Sequence, residues 1–84
     1  MRYTVVWVRS AQDALADLWN RAPDRQAVAA ASDRIDAELG IDAHRKGLPV
    51  GGGRRSLQVS PLGVLFVVDP GDCMVTVLKV RRVP

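Results

Sequence analysis

Five cations stand where strand-like segments begin and end: Arg54 and Arg55 open one, and Lys79, Arg81 and Arg82 close the last. Guanidinium groups fork onto phosphate oxygens, and the same fork stabilises the extra negative charge of a phosphorane. Arg54, Arg55, Arg81 and Arg82 are enough to bind phosphates. RNA can be cleaved through its own 2′-hydroxyl with no metal and no protein nucleophile, but the proton transfers then need a base and an acid. Lys79 or His44 can serve if neighbouring cations lower its pKa; no carboxylate or tyrosine stands in an obvious place beside them.

The wider charge pattern points the same way. Residues 1–42 carry five basic and seven acidic side chains, a net of −2, and residues 43–84 carry seven and two, a net of +5, giving +3 in all. The positive half is also the half that reads as β-sheet. Apolar strands tipped with cations describe a sheet that presents a positive surface to something anionic. A solvated rim that keeps a small domain in solution would use the same residues.

Other chemistries find little support. One His and one Cys cannot supply a metal site, and no cofactor motif is present. Gly51-Gly52-Gly53 lacks the Lys-Ser/Thr pair and the following helix of a phosphate-binding P-loop, and reads as a flexible approach to a strand. Cys73 has no disulfide partner and reads as a small buried hydrophobe in a strand, which suits a reducing compartment. Trp7 and Trp19 read as core or core-edge residues, and His44 as an exposed loop residue. No apolar run approaches the roughly 20 residues that a bilayer requires, and Met1-Arg2-Tyr3 leads straight into a strand-like run, unlike a signal peptide. The expectation is a cytoplasmic protein with no membrane partner, one domain over residues 1–84.

The elements that must position the cations follow from periodicity. Tyr3-Thr4-Val5-Val6-Trp7-Val8 is β-branched and aromatic and reads as a strand. Ser10 with Asp13 three residues later is a capping-box-like helix start, and Ala11, Ala14, Leu15, Leu18 and Ala22 recur at helical spacing. After Ala22-Pro23-Asp24 a second stripe, Ala27, Val28, Ala31, Ile35 and Leu39, runs to Gly40 as the C-cap. So short a link predicts an antiparallel helical hairpin. Ile41 to Gly53 reads as loop. Three strands are then expected, Arg54–Ser60, Gly63–Asp69 and Cys73–Arg81, with Pro70-Gly71 suited to a type II turn whose glycine has positive φ. Alternation puts Arg55 with Leu57 and Val59 on one face, Arg54 with Ser56 and Gln58 on the other, and Lys79 and Arg81 with Val75 and Val77. Leu15, Leu18, Val28, Ile35, Leu65 and Val67 are expected in the core. The third run, Val64 to Val68, is apolar on both faces and is expected at the centre of the sheet.

This order, strand–helix–helix–three strands, resembles the RelE/ParE superfamily of bacterial type II toxins, also described as plasmid stabilisation proteins. The resemblance spans nearly the whole chain. It rests on Tyr3-Thr4-Val5-Val6-Trp7-Val8 before Ala11-Gln12-Asp13-Ala14-Leu15, then Arg55-x-Leu57, Pro61-Leu62-Gly63-Val64-Leu65-Phe66-Val67-Val68-Asp69, and Val75-Thr76-Val77-Leu78-Lys79-Val80-Arg81. It implies an α+β fold with the helical hairpin on one face of a mainly antiparallel sheet ending in a three-strand meander. It implies an antitoxin partner encoded by an adjacent gene, and one of two targets: mRNA on the ribosome, cut without a metal, or DNA gyrase. A non-catalytic member that binds only its antitoxin or RNA is a third reading. Under the nuclease reading Arg55, Lys79 and Arg81 are the catalytic candidates, and Arg45, Lys46, Arg54, Arg55 and Arg82 bind nucleic acid. Two departures stand out. Leu62-Gly63 replaces an aromatic-Arg pair common in nuclease members, and the sequence closes at Pro84, short of the segment carrying a Tyr or His in some of them.

Overall fold

Thr4-Val5-Val6-Trp7, β-branched and aromatic, forms strand β1 (Thr4–Trp7) in the computed structural model, which describes residues 1–84. Helices α1 (Arg9–Arg21) and α2 (Arg25–Leu39) follow, joined by Ala22-Pro23-Asp24. After a 3₁₀ turn at Ala43–Arg45 come β2 (Leu48–Gly51), β3 (Arg54–Val59), β4 (Leu62–Asp69) and β5 (Met74–Arg82). The sheet order is β1-β5-β4-β3-β2, with β1 parallel to β5 and every other pair antiparallel. This is the α+β architecture expected, with β4 central.

Both helices cover one face of the sheet. Val28, Ala31, Ile35 and Leu39 of α2 and Ala11 of α1 are buried with Leu62, Val64 and Phe66 of β4 and Val75, Val77 and Val80 of β5. Leu15 and Leu18 are only half-buried, packed at the margin of this core, and Ala27 lies off the buried stripe. Leu65 and Val67 are not core residues. They alternate with Val64 and Phe66 and so occupy the face that no helix covers.

Several local expectations are corrected. The segment Ile41–Gly53 is not all loop, because Leu48–Gly51 pairs with β3 as an edge strand. Pro49 obscured it, yet proline is tolerated on an edge, and Gly51, Gly52 and Gly53 take φ of 91°, 62° and 74° to turn the chain into β3. Helix α1 begins at Arg9 behind Val8, without a side-chain cap, so Ser10 lies inside the helix rather than capping it. Asp24 precedes α2 but its carboxylate does not cap it. In the turn before β5 the positive φ, 49°, belongs to Cys73 and not to Gly71. Cys73 is therefore a half-buried turn residue, its thiol 3.6 Å from the Pro70 carbonyl oxygen.

Candidate nucleic-acid interface

A β-bulge in β5 decides which cations share a surface. Leu65 pairs with Lys79 and Phe66 with Val77, so Leu78 is an extra residue on β5. Before the bulge Val75 and Val77 face the helices; beyond it the alternation slips by one. Val80 then enters the core, and Lys79 and Arg81 emerge on the open face, the opposite of what uninterrupted alternation predicts.

On that face the register aligns three rows across the strands: Arg81–Gly63–Gln58, Lys79–Leu65–Ser56 and Thr76–Val67–Arg54. The first two rows line a groove of about 400 Å³. Gly63 forms its floor. A Cβ there would lie 2.9 Å from Val83 Cγ1, 3.7 Å from Gln58 Cγ and 3.9 Å from Arg81 Cγ, so the missing side chain is what leaves the groove open. Its neighbour Leu62 is fully buried. Lys79, Arg81 and Arg54 make no ion pair, and no carboxylate lines the groove. The arrangement suits oxyanions: two cations on adjacent rows, flanked by the polar Ser56 and Gln58, beside the apolar Leu65.

The other candidate residues sit elsewhere. Arg55 is on the helix-covered side with Leu57 and Val59. Its Nε donates to the Lys46 carbonyl at 2.8 Å and its Nη2 to the Gly47 carbonyl at 3.2 Å, tying the chain before β2 to β3. Lys46 Nζ pairs with Glu38 Oε2 at 2.9 Å, and that hydrogen bond holds the Glu38 carboxyl below its usual range. Arg82 donates to Asp24 Oδ2 at 2.8 Å, which lowers the Asp24 pKa and raises that of Arg82. Arg45 is exposed and away from the groove. His44, expected as an exposed loop residue, is exposed, and its Nδ1 lies 3.0 Å from the Tyr3 hydroxyl. The structure thus brings together Lys79 and Arg81, with Arg54 a row away, and separates Arg45, Lys46, Arg55 and Arg82 from them.

Ser56, Gln58 and Gly63 are groove residues that a search for charged or nucleophilic groups passes over. Their signal was the period-2 alternation with Arg54, together with a glycine inside an otherwise apolar strand.

A second concavity, about 510 Å³, lies between the helices. Trp7, Leu15, Trp19 and Val28 line it, with Asp33 and Asp36 beside them. Trp7 Nε1 donates to Asp36 Oδ1 at 2.8 Å, and the Arg25 guanidinium lies 4.8 Å from the Trp19 ring centre. Trp19 is 41% exposed, so it lines a surface groove rather than the core. No group of three His, Cys, Asp or Glu side chains is placed to hold a metal ion, and no helix is long and apolar enough to cross a membrane.

No family model matches the chain, and no curated protein matches it in sequence. Solved structures do match. The toxin–antitoxin complex RelBE2 from Mycobacterium tuberculosis contains a chain 24% identical, with a TM-score of 0.78 over 98% of this chain and 92% of that one. The chromosomal ParDE toxin–antitoxin system from P. aeruginosa contains one 17% identical, with a TM-score of 0.69 over 99% of this chain and 98% of that one. The fold is that of RelE/ParE-type toxins.

Proposed function

We propose that this chain, which has the RelE/ParE-type toxin fold, is the toxin component of a toxin–antitoxin pair and acts on mRNA through its open sheet face. The similar structures are toxin–antitoxin complexes, which supports the pairing. The observation that carries the RNA reading is the bulge at Leu78, which turns Lys79 and Arg81 out together beside Gly63 and leaves both without a carboxylate partner. Arginine stays protonated and offers forked donors, so Arg81 stabilises charge on the scissile phosphate. Lys79 is the groove cation whose ammonium can release a proton, so it protonates the leaving oxygen while water takes the proton of the 2′-hydroxyl. Arg54 holds a flanking phosphate. Arg55 acts as a positioning residue, fixing the chain that leads into β2. The antitoxin, encoded by an adjacent gene, covers apolar side chains the toxin exposes, among them Val6, Leu48 and Val50 at the sheet edges.

The test is induction of the wild type and of Arg81→Ala and Lys79→Ala in growing bacteria, with transcript 5′ ends mapped and ribosome association measured. The expected result is growth arrest with cleaved mRNA for the wild type. In both variants arrest is relieved while ribosome association largely survives, because transition-state contacts lower rate without abolishing binding. Arrest with intact transcripts and gyrase-dependent DNA breaks would replace the RNA target with gyrase. Soluble expression without arrest would leave only a binding module.

A further inference from the structure

At the end of the sheet where the β2–β3 and β4–β5 turns meet, a smaller concavity of about 280 Å³ is lined by His44, Arg54, Arg55, Pro49, Gly51 and Val68 among others, with no carboxylate. Its three polar side chains, His44, Arg54 and Arg55, can each donate. The Tyr3 hydroxyl has one proton and two neighbours, His44 Nδ1 at 3.0 Å and Met1 Sδ at 3.3 Å. Imidazole nitrogen is much the stronger acceptor, so the proton is assigned to the bond with Nδ1, and Nε2 keeps its own hydrogen. Were the ring protonated, Nε2 would carry a hydrogen as well. Arg55 has Nε and Nη2 committed to the Lys46 and Gly47 carbonyls, which locks the guanidinium in place and leaves Nη1 unused. Arg54 is exposed and unpaired. Asp42, two residues before His44, is bonded to the α-amino group of Met1 at 2.8 Å.

We infer that this pocket is a phosphate subsite, filled by the backbone phosphate of an RNA strand after it leaves the Lys79–Arg81 groove. The inference rests on the RNA reading above, and Arg54 links the two places, because it lies on the open face and also lines the pocket. A phosphate offers several acceptor oxygens to convergent N–H donors and no proton that needs an acceptor, which matches a lining of donors alone. Arg55, remote from the groove, acquires a ligand role here. His44 becomes a contact to substrate rather than a base.

The isotopically labelled full chain is titrated first with inorganic phosphate and then with a short single-stranded RNA, following the His44 ring and the Gln58 and Gly63 amides by NMR. Phosphate should move the His44 ring, and RNA should move all three. His44→Ala should weaken RNA binding about tenfold while leaving the slope of log affinity against log salt nearly unchanged, because a neutral imidazole donor releases no counterion. Tyr3→Phe, which keeps the ring packing but releases His44 Nδ1, should weaken it less. RNA that moves Gln58 and Gly63 but not His44, with His44→Ala binding as wild type, overturns the subsite and leaves the RNA reading standing. Phosphate at His44 without any RNA binding overturns the RNA reading and retains the pocket as a phosphate site. Neither response overturns both.

Discussion

Arg55 and Arg81 carry the same guanidinium in opposite settings. Arg55 is half-buried with two of its donors on backbone carbonyls, whereas Arg81 is exposed with none. Removing Arg55 leaves the Lys46 and Gly47 carbonyls short of partners, so Arg55→Ala should lower stability by about 1–3 kcal/mol, read from the midpoint of urea unfolding. Arg81→Ala should leave that midpoint within about 0.5 kcal/mol of wild type while abolishing arrest. Equal destabilisation by the two substitutions would contradict these placements. Gly63 supplies a second residue-scale case. Its Cβ would meet Val83 Cγ1 at 2.9 Å, and a β-branched neighbour in a packed position has little room to retreat. Gly63→Ala should cost about 1–3 kcal/mol and partly fill the groove, with RNA affinity falling alongside stability. Wild-type values for both would show that the floor is not tight.

Among the elements, α2 supplies most of the helical part of the core, with Val28, Ala31, Ile35 and Leu39 buried against Ala11 alone from α1. Ile35 is fully buried, and Ile35→Ala should cost about 2–5 kcal/mol in urea unfolding. Leu18→Ala and Leu65→Ala, at half-buried positions on the core margin and the open face, should each cost less. A Leu65→Ala variant as damaged as Ile35→Ala would place the core on the wrong side of β4. Two ion pairs tie elements together: Asp24 before α2 with Arg82 of β5, and Glu38 of α2 with Lys46 before β2. In each, the hydrogen bond from the cation holds the carboxyl pKa below its unfolded value. The unfolded chain therefore takes up protons first as pH falls. The stabilisation is present above the unfolded pKa, about 4, and is lost as pH drops through the folded values. Urea midpoints should hold steady from neutral pH to about pH 5 and fall below about pH 4, and Asp24→Asn should flatten that acid limb. An unchanged limb would mean that the Asp24–Arg82 pair does not hold in solution.

At the scale of the whole molecule, the two long surfaces differ in character. The helical side offers an apolar groove with Asp33 and Asp36 beside it, and the open sheet face offers Lys79 and Arg81 in a groove that no carboxylate lines. Both sheet edges are available, with Leu48 71% exposed and Val50 49% exposed on β2. An exposed apolar edge strand is a template for a partner strand as well as an aggregation hazard, so a dedicated partner would be expected to cover it. Co-expression with the product of an adjacent small gene should give a stable complex in which the amides of β2 exchange more slowly than in this chain alone. Two soluble proteins that fail to co-purify would argue for a chain that acts without an antitoxin.

Much of this was legible in the residues themselves. The β-branched opening, the two helical stripes and the Gly- and Pro-marked turns set the order of every helix and strand except β2, because each is a local, periodic signal that burial of one face must respect, whereas Pro49 hid the short edge strand. The separation of Arg54 from Arg55 also followed from alternation alone. What tertiary structure decided was the surface on which each remaining cation acts. One extra residue, Leu78, reverses the faces of Lys79, Val80 and Arg81, and nothing in Val77-Leu78-Lys79 announces it, since a bulge is fixed by pairing with Leu65 and Phe66 across the sheet. Distance along the chain likewise hid the partners that occupy Lys46 and Arg82, and the hydroxyl of Tyr3, 41 residues away, that orients His44. Charge and periodicity are properties of the chain, whereas a free cation is a property of what packs beside it.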